Sequence, residues 1–180
     1  MKLLTIGHSN HAWERLTELL DAAGVLALVD VRTVPASRFN PQFNRPNLEN
    51  MLPGRGIQYF FAGKFLGGRP SDPTCYKARV LPPEGADFLH EVDYPEVMQR
   101  DWFKRGIERM LEIAEQQATA MMCSEENPAQ CHRHHLIAKY LLQEHPQVAV
   151  QHIRADGQII NAASLHVSVD EVEAEQHKLL

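Results

Sequence analysis

The sequence predicts an α/β fold: a mostly parallel sheet with helices on both faces and an antiparallel strand near the C-terminus. Three observations carry this. Short apolar runs recur at "KLLTI" (2–6), "VLALVDV" (25–31), "ATAMMC" (118–123) and "VAVQHI" (148–153). Segments with helical spacing of apolar residues lie between them. Strand then helix then strand, repeated, is the pattern of parallel strands joined by right-handed crossovers.

The elements follow in order. "KLLTI" is a short buried strand stopped by Gly7. A helix follows, with Ser9 or Asn10 as its expected cap, Trp13, Leu16, Leu19 and Leu20 as its apolar stripe, and Gly24 at its end. "VLALVDV" is apolar almost throughout, as a strand covered on both faces should be. Residues 32–46, with three prolines and three arginines, read as a polar loop. A weak helix at 46–53 leads through Gly54 and Gly56 into a third strand. The Gly- and Pro-rich stretch 62–87 shows no period and reads as a surface excursion, long enough to serve as a lid. Its adjacent Gly67 and Gly68 suit a hinge or a backbone lying against a ligand. Residues 94–117 read as one long helix, with Phe103, Ile107, Met110, Leu111 and Ala114 inward. A helix starting at Gln130–Arg133 turns Leu136, Ile137, Tyr140 and Leu141 inward. Asp156-Gly157 predicts a hairpin that returns "QII" antiparallel. The last fifteen residues read as a weak helix or a frayed tail.

A chain of 180 residues with 44% hydrophobic and 23% charged residues suits one globular domain, 1–180. No run approaches a membrane span, and the start does not read as a signal peptide. A net charge of −5 disfavours, without excluding, nucleic acid as a partner. Three cysteines, an odd number, fit a reducing cytoplasm better than a disulfide framework.

The segments after the first, second and fourth strands are "GHSNH", "RTVPASR" and "SEENPAQCHR". Ligands of such sheets bind beyond the carboxyl ends of the strands, so these loops form the candidate site. Cys131 opens a helix beside Arg133, and both features favour a thiolate; Cys123, at a strand end, has the better position for a nucleophile. Arg32, Arg38 and Arg133 are candidates to hold an anion, because a guanidinium forks onto carboxylate or phosphate. Asp30 is placed to orient Arg32. Glu125 and His8 are candidate proton-transfer groups. Glu126 and the pair His134–His135 read as solvated.

These residues lead to an enzyme for an anionic small molecule or nucleotide-like group, with no cofactor specified. Two rival readings stay open. In a metal protein, Cys123, Cys131 and nearby histidines would be ligands, with Cys131 and His135 on one helix face and Glu125 or His8 completing the set. A non-catalytic anion- or nucleic-acid-binding module would keep the arginines and tolerate loss of the cysteines.

"TIGHSN" (5–10), "LVDVRTVPASRFNPQFN" (28–44), "GIQYFFAGKFLGG" (56–68) and "MCSEENPAQCHRHHLIAKYL" (122–141) resemble the domain of unknown function 488 family. The resemblance implies a cytoplasmic α/β domain and no particular reaction. It also implies a set of characteristic polar positions: His8, Ser9, Asp30, Arg32, Ser37, Arg38, Cys123, Glu125, Cys131, His132 and Arg133. Of these, Ser9, Ser37 and His132 would join Asp30 and the arginines around a substrate. "LVDVR" and the Cys123–Arg133 segment are more faintly similar to rhodanese-like domains, whose thiol loop is a much shorter arc.

Overall fold

The structure, a computed structural model, describes residues 1–165. The tail expected to be helical or frayed lies outside the described residues. Six strands form one sheet: β1 (Lys2–Gly7), β2 (Ala27–Asp30), β3 (Gln58–Phe61), β4 (Thr119–Cys123), β5 (Ala149–Ile153) and β6 (Ile159–Asn161). Their order is β3-β2-β4-β1-β5-β6. All neighbours pair in parallel except β5 with β6, which are antiparallel as the Asp156-Gly157 turn predicts.

Successive residues of a strand face opposite sides of a sheet, and here both sides are covered. Leu4, Leu28 and Met122 pack on one side with Leu16 and Leu20 of α1 (Trp13–Ala22) and Leu48 of α2 (Arg45–Met51). Leu3, Val29 and Met121 pack on the other with Phe103, Ile107 and Met110. The central strands therefore need apolar residues at every position, which is why their sequences show no alternation.

Three local expectations are corrected. No side chain caps α1; Ala12 precedes it, and Ser9 adopts φ +45° in the loop before. The long helix is two helices, α5 (Tyr94–Met98) and α6 (Asp101–Gln116), because Arg100 is extended between them. Arg100 is held there by Glu96 at 2.9 Å and Thr74 Oγ1 at 2.5 Å. The stretch 62–87 is not merely superficial. It begins with α3 (Gly63–Leu66) and sends Leu66, Cys75 and Tyr76 into the core, while residues 78–85 stay outside or near the surface. A further short helix, α4 (Phe88–Glu91), follows it.

Register decides what meets at the carboxyl edge. Gly7 pairs with Cys123, and both Ile6 and Asp30 pair with Met122. The strand order sets β4 between β2 and β1, so the loops after these three strands emerge side by side. A Cβ on Gly7 would lie 1.8 Å from the carbonyl oxygen of Glu125, so glycine here lets the loop after β4 cross the end of β1.

Candidate functional site

A cavity of about 870 Å³ opens at this edge. His8, Ser9, Arg32, Ser37, Cys123, Glu125, Cys131 and His132 line it, so eight of the eleven candidate residues converge. Asp30 lies behind Arg32. Arg38 is exposed and does not line the cavity, and Arg133 is fully buried beneath it.

Arg32 is nearly buried and already paired. Its Nε and Nη2 donate to the two carboxylate oxygens of Asp30 at 2.9 and 2.6 Å, and Nη2 also donates to the Phe43 carbonyl. Tyr59 donates its hydroxyl to the same carboxylate at 2.8 Å. Nη1 lies 3.0 Å from His8 Nε2. Because His8 Nδ1 donates to the Ser9 carbonyl at 2.8 Å, Nε2 is the acceptor from Arg32. Burial, reinforced by the Arg32 charge, lowers the His8 pKa to about 4. His8 is thus a neutral ring with both nitrogens occupied. It holds Arg32 in place, in contrast to the proton-transfer or ligand role its position suggested.

Arg133 is corrected as well. Its Nε donates to Thr5 Oγ1 at 3.2 Å, Nη1 to the Glu125 carbonyl, and Nη2 to the Glu126 carbonyl at 2.5 Å. Every nitrogen of the guanidinium therefore has a partner within the chain, one in β1 and two on the loop after β4, which makes it an anchor for that loop. Beyond Thr5 the chain continues. Thr5 Oγ1 lies 2.8 Å from His152 Nδ1, and His152 Nε2 lies 3.1 Å from His134 Nδ1. Burial lowers the pKa of His152 to about 3 and that of His134 to about 4. His134 and His135 are buried, not solvated. Glu126 is not a solvated acid either; it grips Arg154 at 2.9 Å through both oxygens, which lowers its pKa to about 2.

At the cavity floor, His132 Nε2 lies 3.2 Å from the Val31 carbonyl and 3.1 Å from that of Leu66. Both are acceptors, so Nε2 carries the proton and the Nδ1 lone pair is free. Nδ1 points to the sulfurs, 3.6 Å from Cys123 and 3.9 Å from Cys131. The Arg133 backbone N–H donates to Cys131 Sγ at 3.5 Å, at the entrance to the π-helical turn Arg133–Ala138 that leads into α7 (Lys139–Glu144). Burial alone would raise the Cys131 pKa. The neighbouring Cys123 thiol and the Arg133 charge outweigh burial and hold it well below the usual thiol range. Cys123 is pushed up by the neighbouring Cys131 and by burial. The two sulfurs are therefore coupled, and Cys131 is the one that favours the thiolate. Glu125 is exposed at the cavity wall, and the desolvation it meets there, followed by the charge of Cys131, raises its pKa.

Sequence reasoning missed Arg69. Its guanidinium lines the cavity 4.5 Å above the Phe88 ring and has no carboxylate within ion-pair distance among the described residues. The available signal was its place directly after Gly67-Gly68. His135 does not join the sulfurs; its Nε2 donates to the Ala129 carbonyl at 2.6 Å. Cys75 is buried and does not line the cavity.

Residues 12–141 match the family described as domain of unknown function DUF488. The chain belongs to this family. No curated protein and no solved structure matches it, so the fainter likeness to rhodanese-like domains has no support. Among the described residues, no helix is long and apolar enough to cross a membrane.

Proposed function

We propose that this DUF488 protein is an enzyme that binds a small molecule with an anionic group in the carboxyl-edge cavity and acts on it at the Cys123–Cys131 sulfur pair. One observation carries the reading. Two sulfurs and an imidazole lone pair converge on the floor of an open cavity, above a buried arginine that has no carboxylate partner among the described residues. A buried cation requires a compensating negative charge, and the sulfur pair supplies it. A core cysteine would need none of this.

Roles follow from position. Cys131 is the electron-rich sulfur and Cys123 its proton-carrying neighbour. Glu125, at the cavity wall with a raised pKa, transfers protons. Arg69, stacked on Phe88, meets the anionic group. A cytoplasmic setting keeps the three free thiols reduced.

The test compares two alkylating agents of similar size, iodoacetate and neutral iodoacetamide, on reduced, chelator-treated protein. Labelling is read residue by residue. Cys131 or Cys123 should label before Cys75 in the folded protein, iodoacetate should be favoured, and Arg69→Gln should abolish that preference. Labelling of Cys75 alone, or equal rates with both agents, overturns the proposal.

A further inference from the structure

We infer that Cys123, Cys131 and His132 form a site for one soft divalent metal ion of the zinc class, with its fourth coordination position open to the cavity. The inference rests on the reading above that the sulfur pair is the working centre.

The donor atoms are already assembled. Cys123 Sγ, Cys131 Sγ and a ring nitrogen of His132 all lie within 4.8 Å of one another. A tetrahedral zinc ion, with Zn–S about 2.3 Å and Zn–N about 2.0–2.1 Å, sets sulfur and nitrogen about 3.6 Å apart. The two sulfur–nitrogen edges here are 3.6 and 3.9 Å. One matches, and the other needs a shift of a few tenths of an ångström. As a direct hydrogen bond, the arrangement is less satisfactory. One lone pair faces two sulfurs, and neither distance is short.

The histidine is prepared for ligation. Metal-binding histidines donate their other N–H to a carbonyl or carboxylate, which fixes tautomer and ring orientation. The Nε2 proton of His132 is shared between two carbonyls, that of Val31 just after β2 and that of Leu66 at the end of α3. The ring also has a wall behind it. A Cβ on Gly68 would lie 2.7 Å from its Cγ and 2.8 Å from Nδ1, so only glycine leaves room for the ring in this position.

The cysteines are fixed by separate devices. Cys123 is held in the parallel ladder opposite Gly7. Cys131 is held by the Arg133 backbone N–H and by the turn Pro128–Gln130 before it. The loop between the cysteines is held by the Arg133 guanidinium through two carbonyls. The ligand set needs little ordering when an ion arrives, which favours affinity.

Chemistry selects the ion. Two sulfurs and an imidazole nitrogen favour zinc-class metals over magnesium or calcium, which take oxygen. Three protein ligands beside a cavity match the open form of catalytic zinc sites rather than the closed four-ligand form of structural ones. Glu125 lines the same cavity onto which that fourth position opens.

The experiment uses the full chain, expressed without an affinity tag and purified without chelator. Elemental analysis should find close to one zinc-class ion per chain. Stripped, reduced protein titrated with cobalt(II) should saturate at one equivalent, with an intense sulfur-to-cobalt charge-transfer band. Cys123→Ser and Cys131→Ser should each weaken that band, and His132→Gln should impair cobalt binding. Cys75→Ser should leave stoichiometry and band unchanged. Should a ligand variant fail to fold, the wild type still decides: bound zinc must protect Cys123 and Cys131, but not Cys75, from alkylation during controlled unfolding.

Absence of metal uptake overturns the inference, as does a cobalt band insensitive to both sulfur variants. A Cys123–Cys131 disulfide in freshly isolated, metal-free protein overturns it too. Failure here is separable from failure of the proposed function. If stripped protein keeps its Arg69-dependent preference for iodoacetate yet takes up no metal, the metal site falls and the enzyme reading stands. If metal binds through these ligands without that preference, the metal site stands and the anionic substrate falls.

Discussion

Two buried arginines lie under the same cavity and solve the problem of a buried charge in opposite ways. Arg32 has its own carboxylate, Asp30, gripped at two points, with Tyr59 completing that carboxylate's bonds. Arg133 has only a hydroxyl and two main-chain carbonyls. The first is electrically complete within its own loop. The second is not, and its charge acts on Cys131, the sulfur that favours the thiolate. One arginine therefore serves as scaffold on its own account, while the other ties the scaffold to the reactive centre. The comparison predicts different consequences for breaking each.

The largest effect belongs to Arg133→Met. It leaves two carbonyls and Thr5 without their donor and removes the charge facing Cys131. The expected loss is about 4 kcal/mol or more, measured by urea unfolding. Any folded fraction should alkylate at Cys131 only at higher pH. An unchanged pH profile would break the comparison, because Arg133 would then be indifferent to the thiolate.

Asp30→Asn should cost about 3 kcal/mol, since it leaves the Arg32 charge buried and unmatched. It should not move the pH profile of Cys131 alkylation, which separates the two arginines functionally. Gly7→Ala comes next, at about 1–3 kcal/mol for a methyl forced against the Glu125 carbonyl. It should also raise the pH at which Cys131 reacts, because it moves a carbonyl that Arg133 holds. A chemical denaturation series beside the alkylation profile checks both.

The smallest effect is in pH dependence. His8 beside Arg32 has a folded-state pKa of about 4, and His152, linked to Arg133 through Thr5, of about 3. An unfolded histidine titrates near 6.5. The unfolded chain therefore takes up the proton first. The stability from these neutral rings is complete above about pH 6.5 and declines as pH falls towards 4 for His8 and 3 for His152. His8→Asn should lessen the slope of that decline by about 1 kcal/mol per pH unit between pH 6.5 and 4. Equilibrium unfolding at successive pH values measures it, and an identical slope in wild type and variant would remove His8 from the account.

The fold was legible because buried parallel strands leave a strong trace. "VLALVDV" and "ATAMMC" are apolar at consecutive positions since their alternate residues enter two different cores. The break at Arg100 left no such trace. Tyr94, Val97 and Met98 continue the apolar spacing of α6, and what ends α5 is a contact with Thr74, distant in sequence. In the site, strand ends and a helix start were enough to locate Cys123, Cys131 and Glu125. They were not enough to separate Arg32 from Arg133, because a charged residue's role depends on what its far end meets. The orientation of His132 was equally hidden. It depends on carbonyls of Val31 and Leu66, and every residue has a carbonyl.

The grip of Arg133 on Glu125 and Glu126 is directed at the main chain and ignores their side chains. Composition and length of that loop are therefore under unequal constraint. Exchanging either glutamate for another residue leaves the anchoring oxygens where they were. Adding or deleting one residue between Cys123 and Cys131 shifts an oxygen out of reach, and with it the spacing of the sulfurs. In laboratory evolution of this protein, selection for folding should tolerate a changed side chain in this segment more readily than a changed length.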